Sequence, residues 1–264
     1  MSERSSAGLA FSERGSGPAV VLLHGHPFDR RLWLPQLAAL ADEFRLIAPD
    51  LPGYGRSPVQ PGTVTMRALA QAVAELLDEL GVAETVAVGL SMGGLVAMEL
   101  ALADPARVRG LVLAATTAAP LDQEEAERRR ATADTLERDG MLSAVVEMAG
   151  RLFGTRARRE PALVAPVLQM MIETPPAGAA AALRGRAERP DYRTLMAPLG
   201  LPALIVAGDE DSFGGEQVVS QLRDTFPGSE LLALPGVGHL PNLEEPERFN
   251  AALRAFARRV SSPA

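Results

Sequence analysis

The sequence predicts an α/β fold: a mostly parallel sheet with helices on both faces and one helical insertion. Three observations lead there. Short apolar runs of strand length alternate with helix-length amphipathic segments. That alternation is broken once, over residues 119–197, by a stretch with no convincing strand. The chain has 264 residues, enough for one large α/β core with a substantial insertion.

The elements follow in order. "PAVVLLHG" (18–25) is apolar up to a closing His-Gly, as in a strand buried on both faces. "DRRLWLPQLAALADE" (29–43) reads as a helix with Pro35 in its first turns. "FRLIAPDLPG" (44–53) is the next strand, ending in a Pro/Gly turn. "MRALAQAVAELLDELG" (66–81) carries apolar residues at i, i+3 and i+4 and closes on a glycine. Strand 84–90, a tight turn at Ser91 and helix 95–105 come next, then strand 108–116. After the interruption the pattern resumes with strand 201–209, helix 216–226, strand 230–236 and helix 245–260.

Within the interruption, "EEAERRRATADTLERDG" and "LSAVVEMAGRLFG" read as helices, separated by Pro/Gly/Ala segments near 161 and 175. The division expected is a core of residues 1–118 and 198–264 carrying a helical cap, 119–197. The cap holds 12 arginines and 12 acids, so the net charge of −7 sits on the core.

Composition narrows the function. An acidic chain without a basic patch is not expected to bind nucleic acid or an anionic membrane. There is no cysteine, which excludes disulfides, thiolate nucleophiles and zinc–thiolate sites. All 26 basic residues are arginine. The N-terminus lacks the apolar stretch of a signal peptide, and no apolar run approaches a membrane span, so a soluble, cytoplasmic protein is expected. Three histidines and no H-E-x-x-H leave no plausible metal site, and no G-x-G-x-x-G follows a strand. No cofactor is expected.

The chemistry gathers at strand ends. In "VAVGLSMGG" (86–94), Gly89 and Gly93 flank Ser91, removing the Cβ atoms that would collide where a strand reverses into a helix. That geometry exposes a nucleophile. Of the histidines, His24 and His26 sit in "LLHGHPF" and His239 in "PGVGHLPNLEEPE". His239, just past the last strand, is the candidate base. Asp209 and Asp211 follow strand 201–207 in "VAGDEDSF", and either could reach an imidazole. Asp211 lies farther out, where the chain has cleared the sheet edge. Ligands of parallel sheets sit beyond the carboxyl ends of the strands, where these groups fall in the order Ser…Asp…His.

That order, with G-x-S-x-G at a strand–turn–helix, resembles the α/β-hydrolase fold superfamily. The residues carrying the resemblance are "HGHP" (24–27), "DLPGYGRS" (50–57), "GLSMGG" (89–94), "AGDED" (207–211) and "GVGHLPNLEEPE" (236–247). Within it, S-M-G-G and H-G-x-P followed by Trp33 are similar to the small capped bacterial branch. That branch holds 3-oxoadipate enol-lactonases, cofactor-free haloperoxidase-type esterases and carboxylesterases. The resemblance implies a cap inserted after the sixth strand, here 108–116. It implies a Ser91–His239–Asp211 triad, Asp211 being the third residue beyond Gly208. It also assigns the oxyanion-hole N–H groups to His26 and Met92.

A serine nucleophile points to acyl transfer. The expected activity is hydrolysis of small-molecule carboxylic esters or lactones with small to medium apolar acyl groups, through an acyl-enzyme. Enol-lactone or C–C bond hydrolysis with the same triad is the second enzyme reading, and a receptor-type ligand-binding protein on this fold the other class. Met141, Met148, Phe153 and Met171 are the expected pocket lining, methionine adapting to irregular ligands. A dicarboxylate-derived lactone would want an unpaired cap arginine, which Arg151 or Arg184 could supply.

Overall fold

Eight strands form one sheet in the computed structural model, which describes residues 2–6 and 8–261. The outermost residues of the expected core, 1 and 262–264, lie outside the described residues, as does 7. The strands are β1 (Ser2–Ser6), β2 (Leu9–Arg14), β3 (Ala19–Leu23), β4 (Arg45–Pro49), β5 (Thr85–Leu90), β6 (Val108–Ala114), β7 (Ala203–Gly208) and β8 (Glu230–Leu234). Their order across the sheet is β1-β2-β4-β3-β5-β6-β7-β8. β1 pairs antiparallel with β2, and β2 with β4, while the other pairs are parallel.

The six strands expected from apolar runs are all present, and the two antiparallel ones were not foreseen. β2 reads LAFSER, mixing buried apolar with charged residues, so it lacks the continuous apolar run that marks a strand covered on both faces. With β1 and β2 counted, β6 is the sixth strand, and a run of helices follows it.

Helices cover both faces. α1 (Leu34–Ala39) follows a 3₁₀ turn (Arg30–Trp33), which shortens the helix expected over 29–43. α2 (Met66–Glu79) buries Leu69, Ala70, Val73, Leu76 and Leu77 along one stripe, and the Thr65 hydroxyl caps it by accepting the Ala68 N–H at 3.1 Å. α3 (Met92–Ala103) shows no amphipathic stripe because residues 92–101 are all buried, Glu99 among them accepting the Tyr192 hydroxyl at 2.8 Å.

Between β6 and β7 lie α4 (Gln123–Asp139), α5 (Leu142–Leu152), α6 (Pro161–Glu173), α7 (Pro176–Ala187) and α8 (Tyr192–Met196). The segments near 161 and 175, read as breaks, are helix starts. Pro161 and Pro176 occupy first-turn positions, where a missing N–H costs nothing. α7 is pinned to the core: a Cβ at Gly178 would run into the Gly53 backbone, and one at Gly185 into that of Val64 and Thr65. After β7 come α9 (Glu216–Thr225), α10 (Pro241–Glu244) and α11 (Pro246–Ser261). Among the described residues no helix is long and apolar enough to cross a membrane.

The chain runs from β3 outward to β4, then returns to place β5 on β3's other side. The strand order therefore reverses between β3 and β5, which opens a crevice at their carboxyl ends. His24–Pro27 leave one of these strands and Ser91 leaves the other.

Candidate active site

Ser91 stands at the turn from β5 into α3 with φ 53° and ψ −112°. Such a conformation costs an L-residue on the order of 1–3 kcal/mol. Ser91 and Ala115 are the two described non-glycine residues with positive φ, so the strain is local to this spot. Neighbours hold it in place. The Ser91 N–H donates to the Ala114 carbonyl at 2.9 Å, and the Thr116 hydroxyl donates to the Ser91 carbonyl at 2.6 Å. The flanking glycines are needed sterically: a Cβ at Gly89 would strike the Gly93 carbonyl, and one at Gly93 the Leu23 carbonyl. Met92 is the first residue of α3, where an N–H has no acceptor within the helix.

His239 lies in the loop between β8 and α10. Its Nδ1 is 2.9 Å from both carboxylate oxygens of Asp211, and the two side chains are only 6% and 5% exposed. The ring's Nε2 is the nitrogen left for other chemistry. Asp211 is itself held by the Phe213 N–H at 2.9 Å, and the Phe213 ring lies 4.7 Å from the imidazole, centre to centre. Asp209 faces elsewhere, accepting the Gly236 N–H at 2.6 Å and bracing the loop.

Glu244 fixes the His239 loop from beneath. Its carboxylate accepts N–H groups from Gly238 at 3.1 Å, Leu240 at 3.3 Å and Gly154 at 2.9 Å. Burial pushes its carboxyl up from the ordinary range, with the N–H donors opposing. The His239 N–H donates to the Leu152 carbonyl at 2.8 Å, so α5 also locates this loop.

The other histidines differ. His24 hydrogen-bonds the Gly25 carbonyl through Nδ1 at 2.9 Å and accepts the Leu51 N–H on Nε2 at 3.0 Å, which occupies both nitrogens in bracing the turn. His26 Nδ1 meets the Tyr54 hydroxyl at 2.8 Å. Burial, then the positive charges of Arg186 and Arg129, push the His26 imidazole well below its usual value, so the ring is neutral.

Ser91, His239, Asp211 and His26 all face one cavity of about 600 Å³. A family model described as the alpha/beta hydrolase fold matches residues 18–246. The chain belongs to the α/β hydrolase fold family. The hydrolase is 29% identical over 250 residues to 3-oxoadipate enol-lactonase 1 of Acinetobacter baylyi, covering 93% of this chain and 90% of the relative. It is 29% identical over 270 residues to the pimeloyl-acyl-carrier-protein methyl ester esterase of Nitrosospira multiformis, covering 92% and 96%. Among solved structures, a thermophilic esterase from Thermogutta terrifontis with malate bound superimposes with a TM-score of 0.93 at 40% identity, covering 96% and 94%. The enol-lactonase from Burkholderia xenovorans follows at 0.87 and 27%, covering 94% and 95%.

The hydrolase's cavity wall departs from the expected lining. Met148 faces the cavity, whereas Met141, Phe153 and Met171 are buried in the apolar core and are absent from the wall. Helix phase explains the difference: on α5, Ala144, Glu147, Met148 and Arg151 turn to the cavity. Arg184 points outward and pairs with Asp134 and Glu137, each at 2.7 Å. Arg151 does line the cavity, its guanidinium 4.4 Å from the Phe213 ring centre. The wall holds four further arginines that the sequence does not single out: Arg128, Arg129, Arg186 and Arg189. Among the described residues, no group of three His, Asp or Glu side chains is placed to hold a metal ion.

Proposed function

We propose that this carboxylic-ester hydrolase is a serine hydrolase that cleaves esters or lactones through an acyl-enzyme on Ser91. One observation carries the reading: the short His239–Asp211 contact stands in the same cavity wall as the strained Ser91. A serine hydroxyl is a weak nucleophile until a base takes its proton, and the Asp211 carboxylate orients the imidazole with Nδ1–H toward itself and Nε2 free.

Ser91 Oγ attacks the acyl carbon as its proton moves to His239 Nε2. The carbonyl oxygen gains the negative charge, which the backbone N–H groups of Met92 and His26 receive. The tetrahedral adduct collapses, the acyl C–O bond breaks, and the imidazolium returns the proton to the departing alkoxide. In a lactone that alkoxide stays tethered to the acyl group. Water then attacks the acyl-enzyme with His239 as base, releasing the acid and restoring Ser91. The apolar stem of a small to medium acyl group fits against Leu95, Leu136 and Met148.

Labelling with a fluorophosphonate, read by peptide mass spectrometry, tests the assignment. One adduct per chain on Ser91 is expected, together with steady turnover of 4-nitrophenyl acetate. An adduct on another serine, or undiminished turnover by Ser91→Ala, overturns it.

A further inference from the structure

Arginines in a protein wall normally meet carboxylates, and here the supply is short. Arg128 and Arg129 both pair with Glu125, Arg129 at 2.8 Å. Arg189 donates Nε to the Ala119 carbonyl at 2.9 Å. Arg186 Nε is buried without a hydrogen-bond partner, as is Arg129 Nε, and Arg186 has no carboxylate within ion-pair distance among the described residues. Arg186 is half-buried and lines the cavity.

Leaving a guanidinium so enclosed, beside two others, is costly. Arg186 feels the cost: burial, then the charges of Arg129 and Arg189, depress its pKa well below the ordinary value. The side chain cannot escape by moving its helix, because Gly178 and Gly185 seat α7 on the core backbone. A fixed, unneutralised guanidinium in a ligand cavity matches a planar, two-oxygen anion, which it can bind in bidentate fashion.

We propose that Arg186, flanked by Arg129 and Arg189, is a subsite for a second, ionised carboxylate on the acyl group, so that the preferred substrates are half-esters or lactones derived from dicarboxylic acids. This rests on the assignment of Ser91 as nucleophile. An acyl-side carboxylate stays anchored through both halves of the cycle, since the acyl group remains on Ser91 between them. It also fills the charge deficit that an apolar acyl chain would leave.

The test compares mono-4-nitrophenyl adipate and pimelate with 4-nitrophenyl hexanoate and heptanoate, matched in chain length and differing in the terminal carboxylate. The unmodified hydrolase should favour the anionic esters in kcat/KM by about tenfold or more. Arg186→Gln should lower kcat/KM for the anionic esters by about 30-fold or more, mainly through KM, and change the neutral esters less than about threefold. Arg184→Gln, two residues away and facing outward, should change neither. Good turnover of neutral esters without an anionic preference, or equal loss of both in Arg186→Gln, overturns the subsite and leaves the Ser91 reading standing. No turnover of any ester overturns the Ser91 reading instead. A measurement without any variant guards against misfolding of Arg186→Gln. Free adipate should competitively inhibit hexanoate hydrolysis, less so at high salt, while adipamide should not; equal inhibition by the two, or none, overturns the subsite.

Discussion

The sheet-side wall of the cavity and its helical wall are built on opposite terms. On the sheet side the groups that position the site have partners: the Ser91 backbone has Ala114 and Thr116, His239 Nδ1 has Asp211, and the loop beneath has Glu244. On the helical side, Arg129 and Arg186 keep guanidinium nitrogens that meet nothing. A group that must act at a fixed distance gains from being tied down before substrate arrives. A group that must recognise a charged ligand gains from staying unneutralised until it does. Chemistry and recognition therefore leave different signatures in the same cavity, satisfied on one wall and unsatisfied on the other.

The largest expected effect breaks the sheet side. Ser91→Ala should lower kcat by about 10⁶-fold with an unchanged circular dichroism spectrum, because the hydroxyl acts only in the chemical step. Next comes the pair of aspartates. Asp211→Asn should cost about 10⁴-fold in kcat by favouring the wrong imidazole tautomer. Asp209→Asn, which disturbs only the brace to Gly236, should cost less than about tenfold. The reverse order in steady-state rates would move the acid to Asp209.

Glu244 sharpens the comparison through pH. Its carboxyl is raised by burial, so the folded protein holds that proton more tightly than the unfolded chain does. Ionising it therefore costs stability as pH rises from the ordinary carboxyl range through the raised folded value. Glu244→Gln removes that titration. Its melting temperature relative to the parent should improve as pH rises above the ordinary carboxyl range. Its kcat/KM should still fall about tenfold, since the amide NH₂ cannot accept the N–H groups that fix the His239 loop. A difference in melting temperature that does not vary with pH would show that Glu244 does not titrate in this range.

The smallest effect on rate lies among the methionines. Met148→Phe should shift chain-length preference among neutral esters while sparing acetate. Met171→Ala should leave that preference alone and destabilise the fold by about 2–5 kcal/mol, as expected for emptying a buried site, measured by urea unfolding. If the two substitutions exchange their effects, the wall has been drawn through the wrong side chains.

The parallel core was legible because strands covered on both faces must be apolar, and 19–23, 86–90 and 203–208 hold only apolar residues and glycine. β2 was not, since LAFSER takes charge at its half-buried end. Ser91 and His239 were legible because glycines crowd around them for steric reasons local in sequence. Phe213 and Glu244 touch the same constellation, yet nothing beside them in the chain marks it. Part of each role arises across the fold, in the Phe213 ring against His239 and in Glu244 accepting the Gly154 N–H. The arginines show the limit most sharply. Arg184 and Arg186 are two residues apart, one on the outer face and one in the cavity. Choosing between them requires the phase of α7, and "PPAGAAAALRGRAERP" carries no apolar stripe that reveals it.

The strained turn at Ser91 has an evolutionary corollary. At φ 53° and ψ −112° a glycine would rest without penalty. The relief, on the order of 1–3 kcal/mol, exceeds the roughly 0.4–1 kcal/mol that glycine's looser unfolded chain gives back. Selection for thermal endurance alone should therefore replace Ser91 with glycine and produce a hardier, inert protein. On the assignment of Ser91 as the nucleophile, the serine is kept here at a cost in stability that only turnover repays.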